Sequence, residues 1–392
     1  MASPKNLGLD GYDSAHFFVH DLERARGFYT RKMDFAVVAR SSKETERETG
    51  IRTEVYGARH VRFAVSQSLR KGSKVDHYLQ RHPEGVKRIG LKVKDLDVAL
   101  EKLVERKACL IGEPREARLA GGTYKDATIT GPLGDVDYTL VQRGANLDQW
   151  SPDVDPVVGE GGKNRHGLAA IDHVTSNSRS MMSCVLFYRE VLGFQHFWDI
   201  EFHTQDSKPD AATGSGLRSI VVADPDCMVK FATNEPKKPH FDQSQIQVFV
   251  DDNFGPGVQH IALATPDIVK TVGGLRDESI KFLDAPDSYY RMLPKRMAER
   301  KVTNIKEDLA VLEENRILVD GKDGRYLLQI FMKENAQLFG LKEAGPFFHE
   351  VIQRQGDQGF GEGNFRALFE SIEKDQSSRL TPQEIERMVT VD

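Results

Sequence analysis

Two histidines and one glutamate are the residues of this chain best able to do chemistry together: His173 in IDHVT, His260 in VQHIA and Glu350 in FFHEVIQR. Two imidazoles and a carboxylate on rigid strands match the facial triad that binds non-haem Fe(II) and leaves positions open for substrate and O2, and zinc or manganese would also suit these ligand types. A lone histidine in an apolar strand is ordinarily a hydrogen-bonded core residue. The three need a reason to be read as a set, and an internal repeat supplies it.

The stretch GVQHIALATPDI, from Gly257, shares its apolar frame with GVKRIGLKVKDL, from Gly85. DSAHFFVHDLERARGFYTRKMDF (Asp13 to Phe35) aligns without a gap on DHVTSNSRSMMSCVLFYREVLGF (Asp172 to Phe194), and YTLVQR, ending at Arg143, mirrors HEVIQR, ending at Arg354. Four related units in two halves follow. His173, His260 and Glu350 then correspond to Ser14, Arg88 and Thr139, so one half carries all three candidate ligands and its copy carries none. His16, His20, His60, His77, His82, His166, His196, His203 and His240 lack such correspondence and read as surface or structural. His349 adjoins Glu350, but neighbours in a strand point to opposite faces.

Those residues have to be positioned, and the patterning shows how. Each unit opens with a short apolar strand, continues into an amphipathic helix such as Val98 to Val104 or Met182 to Val191, and ends in β-rich runs, a β-α-β-β-β pattern. LRSIVVADPDCMVKFATNEP is one hairpin, turning at Asp224-Pro225-Asp226. The expected fold is α+β: two similar halves, each a pair of βαβββ modules forming an open barrel, with a C-terminal helix over the second-half site. The linker GANLDQWSPDVDPVVGEGGKNRHG places the boundary near residue 150, giving an N-terminal pair of modules over 1–150 and a catalytic pair over 151–392. An insertion from Asp287 to Asn315 reads as helical, with Ile305, Leu309 and Leu312 on one face.

Bulk properties narrow the function class. At 392 residues and a net charge of −5, with acidic and basic residues mixed and no Lys/Arg tract, the chain is not built to track nucleic-acid phosphates. There is no signal-peptide-like apolar start and no apolar run of about 18 residues, so a soluble, cytoplasmic protein with no membrane partner is expected. Cys109, Cys184 and Cys227 form no CxxC and read as buried or incidental thiols.

With VQHIAL, LLQIF, FFHEVIQR and GFGEGNF in place, the second half resembles the 4-hydroxyphenylpyruvate dioxygenase family, and the repeated units look like the vicinal oxygen chelate superfamily to which it belongs. The likeness runs from about Tyr12 to Asp375, and its most specific motifs follow Ile171. It implies one Fe(II) per chain on His173, His260 and Glu350. It also implies a pocket of Ser219, Asn234, Gln245, Gln259 and Gln329 walled by Phe331, Phe348, Phe360 and Phe365, in which Gln259, Asn234 and Gln245 act in catalysis. The implied reaction turns 4-hydroxyphenylpyruvate and O2 into homogentisate and CO2, in tyrosine and phenylalanine catabolism. The resemblance further implies a homo-oligomer, dimer or tetramer, with a structural and oligomerisation role for the first half. Ala232, Thr233 and His349 depart from the family pattern and bear on pocket shape.

Two alternatives share the scaffold: a 4-hydroxymandelate synthase, which oxidises the benzylic carbon of the same substrate, and a metal-free binding protein. Asn234 favours ring attack over the first, and an intact triad speaks against the second. Finally, DQGFGEGNF (Asp357 to Phe365) reads as a glycine-rich hinge, after which a helix with Phe365, Leu368, Phe369 and Ile372 on one face forms a lid, and a last short helix begins at LTPQE.

Overall fold

The structure, a computed structural model, describes residues 6–144, 149–203, 216–238, 241–285, 287–361 and 363–364. Among these the first half contributes β1 (Leu9–Val19), β2 (Ala36–Ser41), β3 (Ile51–Ala58), β4 (Val61–Ser68), β5 (Gly85–Val93), β6 (Arg115–Leu119), β7 (Gly122–Thr130), β8 (Asp137–Arg143) and β9 (Val154–Gly161). The second half contributes β10 (Ala170–Asn177), β11 (Gln195–His203), β12 (Gly216–Ala223), β13 (Lys230–Pro236), β14 (Gly257–Ala264), β15 (Leu318–Lys322), β16 (Arg325–Phe331) and β17 (Phe348–Gln355). The first sheet runs β6-β7-β8-β5-β1-β4-β3-β2-β9 and the second β15-β16-β17-β14-β10-β13-β12-β11. Apart from β9 the two orders coincide strand for strand, and each sheet curls into a half-barrel.

One boundary moves. The segment Val154–Gly161, assigned by the sequence to the second half, pairs antiparallel with β2 as the ninth strand of the first sheet. Its sequence, VDPVVGEG, reads as linker because an edge strand need bury little: Val158 is largely exposed while Val154 packs on Ala39 and Val55.

The register confirms the repeat residue by residue. In the first sheet Ser14 faces Gly90, His16 faces Arg88, and Gly90 faces Thr139. In the second His173 faces Ala262, Thr175 faces His260, and Ala262 faces Glu350. The helices between the first two strands repeat as well: Leu22–Arg26 and Met182–Leu186 each widen into a π-type turn, with Met33 N–H bonding Phe28 O at 2.9 Å and Leu192 N–H bonding Phe187 O at 3.2 Å.

One apolar core spans both halves, formed by the sheet faces turned away from the cavities. Each module helix docks on the other half's closing strand: the Tyr188 hydroxyl meets Tyr138 of β8 at 2.7 Å, and the Tyr29 hydroxyl meets His349 of β17 at 3.4 Å. His349 therefore does point away from Glu350's face, into a nest of Phe17, Phe28, Phe63 and Phe347. The insertion is helical over Asp287–Glu299 and Leu309–Glu314. Its packed face differs from the expected one. Tyr289, Tyr290, Leu293 and Met297 are buried with Leu312, whereas Leu309 is exposed just after the Asp308 cap and Ile305 lies between the helices.

An ion pair closes each half-barrel. Arg143 grips Asp13 through Nε at 2.7 Å and Nη2 at 3.1 Å, and Arg354 grips Asp172 through Nε at 2.7 Å and Nη2 at 2.6 Å. Removing one member of a buried pair strands its partner. Asp13→Ala should therefore destabilise the protein by about 3 kcal/mol in urea denaturation without altering metal content, since the half it serves has no ligands.

Candidate metal centre

The three ligand strands are hydrogen-bonded neighbours in the order β17-β14-β10, which brings Glu350, His260 and His173 to one place on the concave face. Two β-bulges aim them. In β10 the pairing skips Asp172, between Ile171 opposite Leu263 and His173 opposite Ala262. In β14 it skips Gln259, since Thr175 faces His260 and Ser176 faces Val258. A bulge sets two successive residues against one partner and breaks strict alternation. So Asp172 can accept a hydrogen bond from His173 Nδ1 at 2.8 Å, and Gln259 Oε1 takes His260 Nδ1 at 3.1 Å.

With both Nδ1 atoms engaged, the two Nε2 atoms converge on Glu350 Oε2, His173 at 3.2 Å and His260 at 3.3 Å. All three donor atoms lie within 4.8 Å of one another and all three residues are buried. Cis ligands of a metal with bonds of roughly 2.1 Å are about 3 Å apart, so these separations suit one ion. Glu350 Oε1 is buried with no protein partner, which leaves a carboxylate oxygen for that ion. Two neutral nitrogens and a carboxylate are donors for a first-row divalent metal, and the residues present fit a metal centre.

The electrostatics agree. Burial alone would lower the His173 pKa, but the carboxylates of Glu350 and Asp172 outweigh it and raise it. At His260 burial dominates and the pKa falls. Burial works against Glu350's charge too, yet the two imidazoles hold it below the usual carboxylate range. Asp172 is buried, and Arg354 with His173 keeps it ionised despite that.

The triad lines a cavity with about 520 Å³ of empty space. Of the expected site residues, Asn234, Gln245, Gln259, Gln329, Phe331 and Phe360 line it, together with Thr175, Leu217, Ala232 and Ile246. Phe360 packs on His173 with ring centres 4.5 Å apart, and Phe331 meets His260 edge-on at 5.8 Å. Two expected residues stand beside the cavity rather than in its wall. Phe348 stacks on His260 at 5.0 Å, and Ser219 sits directly opposite Asn234, its buried hydroxyl without a partner. Gln245 is not on a strand but opens the helix Gln245–Asp252, behind Ser244, whose hydroxyl accepts from Ile246 N–H. Phe365 and the helix expected to form a lid lie outside the described residues.

Comparison with known proteins bears on this geometry. Residues 11–134 and 170–292 match the Glyoxalase/Bleomycin resistance protein/Dioxygenase superfamily, one match for each half. The chain is 34% identical over 388 residues to 4-hydroxyphenylpyruvate dioxygenase of Yarrowia lipolytica, covering 94% of this chain and 93% of that protein. It is 36% identical over 376 residues to the Danio rerio enzyme of the same name, covering 93% and 90%. The chain belongs to the 4-hydroxyphenylpyruvate dioxygenase family. Among solved structures, a triple mutant of 4-hydroxymandelate synthase from Streptomyces coelicolor superimposes with a TM-score of 0.76 at 26% identity, over 94% of this chain and 99% of that one.

Three groups that shape this 4-hydroxyphenylpyruvate dioxygenase-family site escaped the sequence reading. Asp172 and Arg354 orient His173, and their identity with Asp13 and Arg143 in the repeat was the available signal. Lys230 had none. It is 2% exposed, donates to Gln358 O at 3.0 Å and lies over the rings of Phe197 and Phe360, tying the segment after β17 to β13. That segment is not the free hinge its glycines suggest: Arg354 also binds Asp357 O and Gly359 O, and Asp320 binds Gly363 N–H.

Two outcomes follow. Asp172→Ala should weaken metal binding roughly 10- to 100-fold in a chelator competition, because His173 loses the partner that fixes its tautomer. Burial, helped by Arg354, pulls the Lys230 pKa down to about 8. Between that value and the ordinary one near 10.5 the unfolded chain binds the extra proton, so stability from this group rises with pH across that window. The stability advantage of wild type over Lys230→Met, from urea midpoints, should grow between about pH 7.5 and about pH 9.5; a pH-independent difference would rule out the ammonium as its source.

Proposed function

We propose that this protein converts 4-hydroxyphenylpyruvate and O2 to homogentisate and CO2, with Fe(II) held by His173, His260 and Glu350. The observation that carries this reading is the convergence of those three side chains in the wall of an amide- and phenylalanine-lined cavity, in a chain whose relatives at 32–36% identity are named for that reaction. When bound, the iron supplies the activation of O2 and the chelation of the 2-oxo acid.

The protein's own residues bind, orient and keep dry. Phe331 and Phe360 present apolar faces to an aromatic ring beside the triad. Asn234 donates from Nδ2 to Asn177 Oδ1 at 2.9 Å, which leaves its own buried Oδ1 without a donor. A phenol hydroxyl can supply one, and an unpaired buried acceptor favours a ligand that does. Gln245 and Gln329 stand on the same wall for the remaining polar groups of the substrate, and Gln259 serves catalysis by holding His260. Ser219 supports Asn234 across the hairpin, and Phe348 buttresses His260.

The second reading, a 4-hydroxymandelate synthase, rests on the structural likeness to that enzyme. The higher identity to relatives named 4-hydroxyphenylpyruvate dioxygenase favours homogentisate. In the same proposal the protein is a cytoplasmic homo-oligomer whose first half serves structure and assembly. Among the described residues no helix is long and apolar enough to cross a membrane.

The test is product identification from 4-hydroxyphenylpyruvate with Fe(II), ascorbate and O2. Homogentisate should dominate in wild type, and 4-hydroxymandelate as main product would move the protein to the second reading. His173→Ala, His260→Ala and Glu350→Ala should each lower turnover by at least about 10³-fold while the circular dichroism spectrum is kept.

A further inference from the structure

The first half keeps the cavity whose counterpart holds the triad. Its concave face encloses about 1750 Å³, open to solvent, and Ser14, Arg88 and Thr139 line it at the register positions of His173, His260 and Glu350. No metal can be expected there. The charges, however, are unbalanced in a way that points to a different ligand.

The aspartates on this wall are already paired. Asp13 is held by Arg143, and Asp126 by Arg115 at 2.6 Å and by the Tyr124 hydroxyl at 3.1 Å. Arg115 also spans to Asp153. Glu113 and Lys74 are exposed. His16 bonds Ser66 Oγ at 2.7 Å, and its pKa falls to about 3 through burial and the nearby Arg88 and Lys87, so it adds no charge. Arg88 remains. Among the described residues its side chain makes no hydrogen bond or ion pair, and its Nε is shut off from water without a partner. A second donor on the same wall, Trp150 Nε1, is likewise buried and unpartnered.

A buried donor left unpaired favours a ligand that supplies an acceptor, and a guanidinium meets a planar carboxylate through two parallel bonds. The rest of the wall is mixed, with Phe18 and Ile111 apolar and the hydroxyls of Ser14 and Thr139 bonded to Asp13 and Thr128. We propose that this cavity is a second ligand site, which binds a small aryl or alkyl monocarboxylate with its carboxylate on Arg88 and its apolar body along Phe18 and Ile111.

The test is calorimetric titration of the iron-loaded protein, kept anaerobic, with phenylacetate, which has no 2-oxo group. Wild type should bind one phenylacetate per chain that Arg88→Gln does not, or binds at least about 10-fold more weakly, with Arg88→Lys between them. Iron content and homogentisate formation should be unchanged in both variants. Hexanoate distinguishes an aryl from an alkyl ligand: equal affinity for the two assigns the site to carboxylates generally, and preference for phenylacetate assigns it to aromatic acids. Equal binding by Arg88→Gln and wild type, or equal binding of uncharged 2-phenylethanol, would overturn the proposal. A protein inactive with 4-hydroxyphenylpyruvate but showing the Arg88-dependent equivalent would leave this site standing and sink only the reading of the other half.

Discussion

The site depends on one register being held across three strands. The candidate ligands on β10, β14 and β17 meet only if the outer two strands keep their alignment over the middle one, because a slip of one residue turns a strand's side chains to the opposite face. The Asp172–Arg354 pair enforces that alignment: it joins β10 to β17 across β14, with Asp172 standing on the bulge that aims His173. The same carboxylate takes His173 Nδ1. One buried ion pair thus fixes both strand registration and the tautomer of a ligand. The Asp13–Arg143 pair does the first job alone in the other half, where Asp13 also accepts from the Ser14 hydroxyl at 2.9 Å in place of an imidazole. The clamp therefore belongs to the half-barrel itself, and the candidate metal centre makes use of it.

The contact between halves explains a residue that looks misplaced. His349 occupies the register position of Tyr138, and the two play mirrored parts, each receiving the hydroxyl of a tyrosine from the opposite half. An apolar side chain would leave the Tyr29 hydroxyl without that partner. Burial pushes the His349 pKa down to about 3, so the imidazole stays neutral and places no positive charge behind the strand that carries Glu350. The departure from the family pattern alters the interface between halves more than the cavity, which His349 does not line.

The triad was legible in the sequence because a repeat that preserves register carries its own control: a position that is histidine in one copy and serine or arginine in the other cannot owe its type to the shared fold. The neighbours that orient the triad were hidden by the alternation rule, which sends Asp172 and Gln259 to the face away from His173 and His260; a bulge has no fixed sequence signature and reverses that answer. The helix Gln245–Asp252, which Gln245 opens, was not anticipated because it is only two turns long. The edge strand β9 was hidden because five of its eight residues are exposed and its apolar residues do not alternate.

The two cavities also differ in size, and in each half an arginine at the same register position fixes the segment beside the cavity. In each half the clamp arginine turns a further nitrogen to carbonyls of the segment that follows its strand: Arg354 to Asp357 O and Gly359 O, Arg143 to Trp150 O. Each segment thereby brings an aromatic ring to its cavity, Phe360 in one case and Trp150 in the other. In the second half the segment is further pinned by Lys230, and Phe360 lies against the imidazole of His173 beside a cavity of about 520 Å³. In the first half Trp150 instead packs on Arg143, with the guanidinium 5.4 Å from its ring, and the space stays wide. A cavity that handles a reactive oxygen species must be tight and dry, whereas one that only holds an anion needs a charge and a mouth. The repeated scaffold serves both by changing what stands at three register positions and which aromatic ring the following segment brings to the cavity.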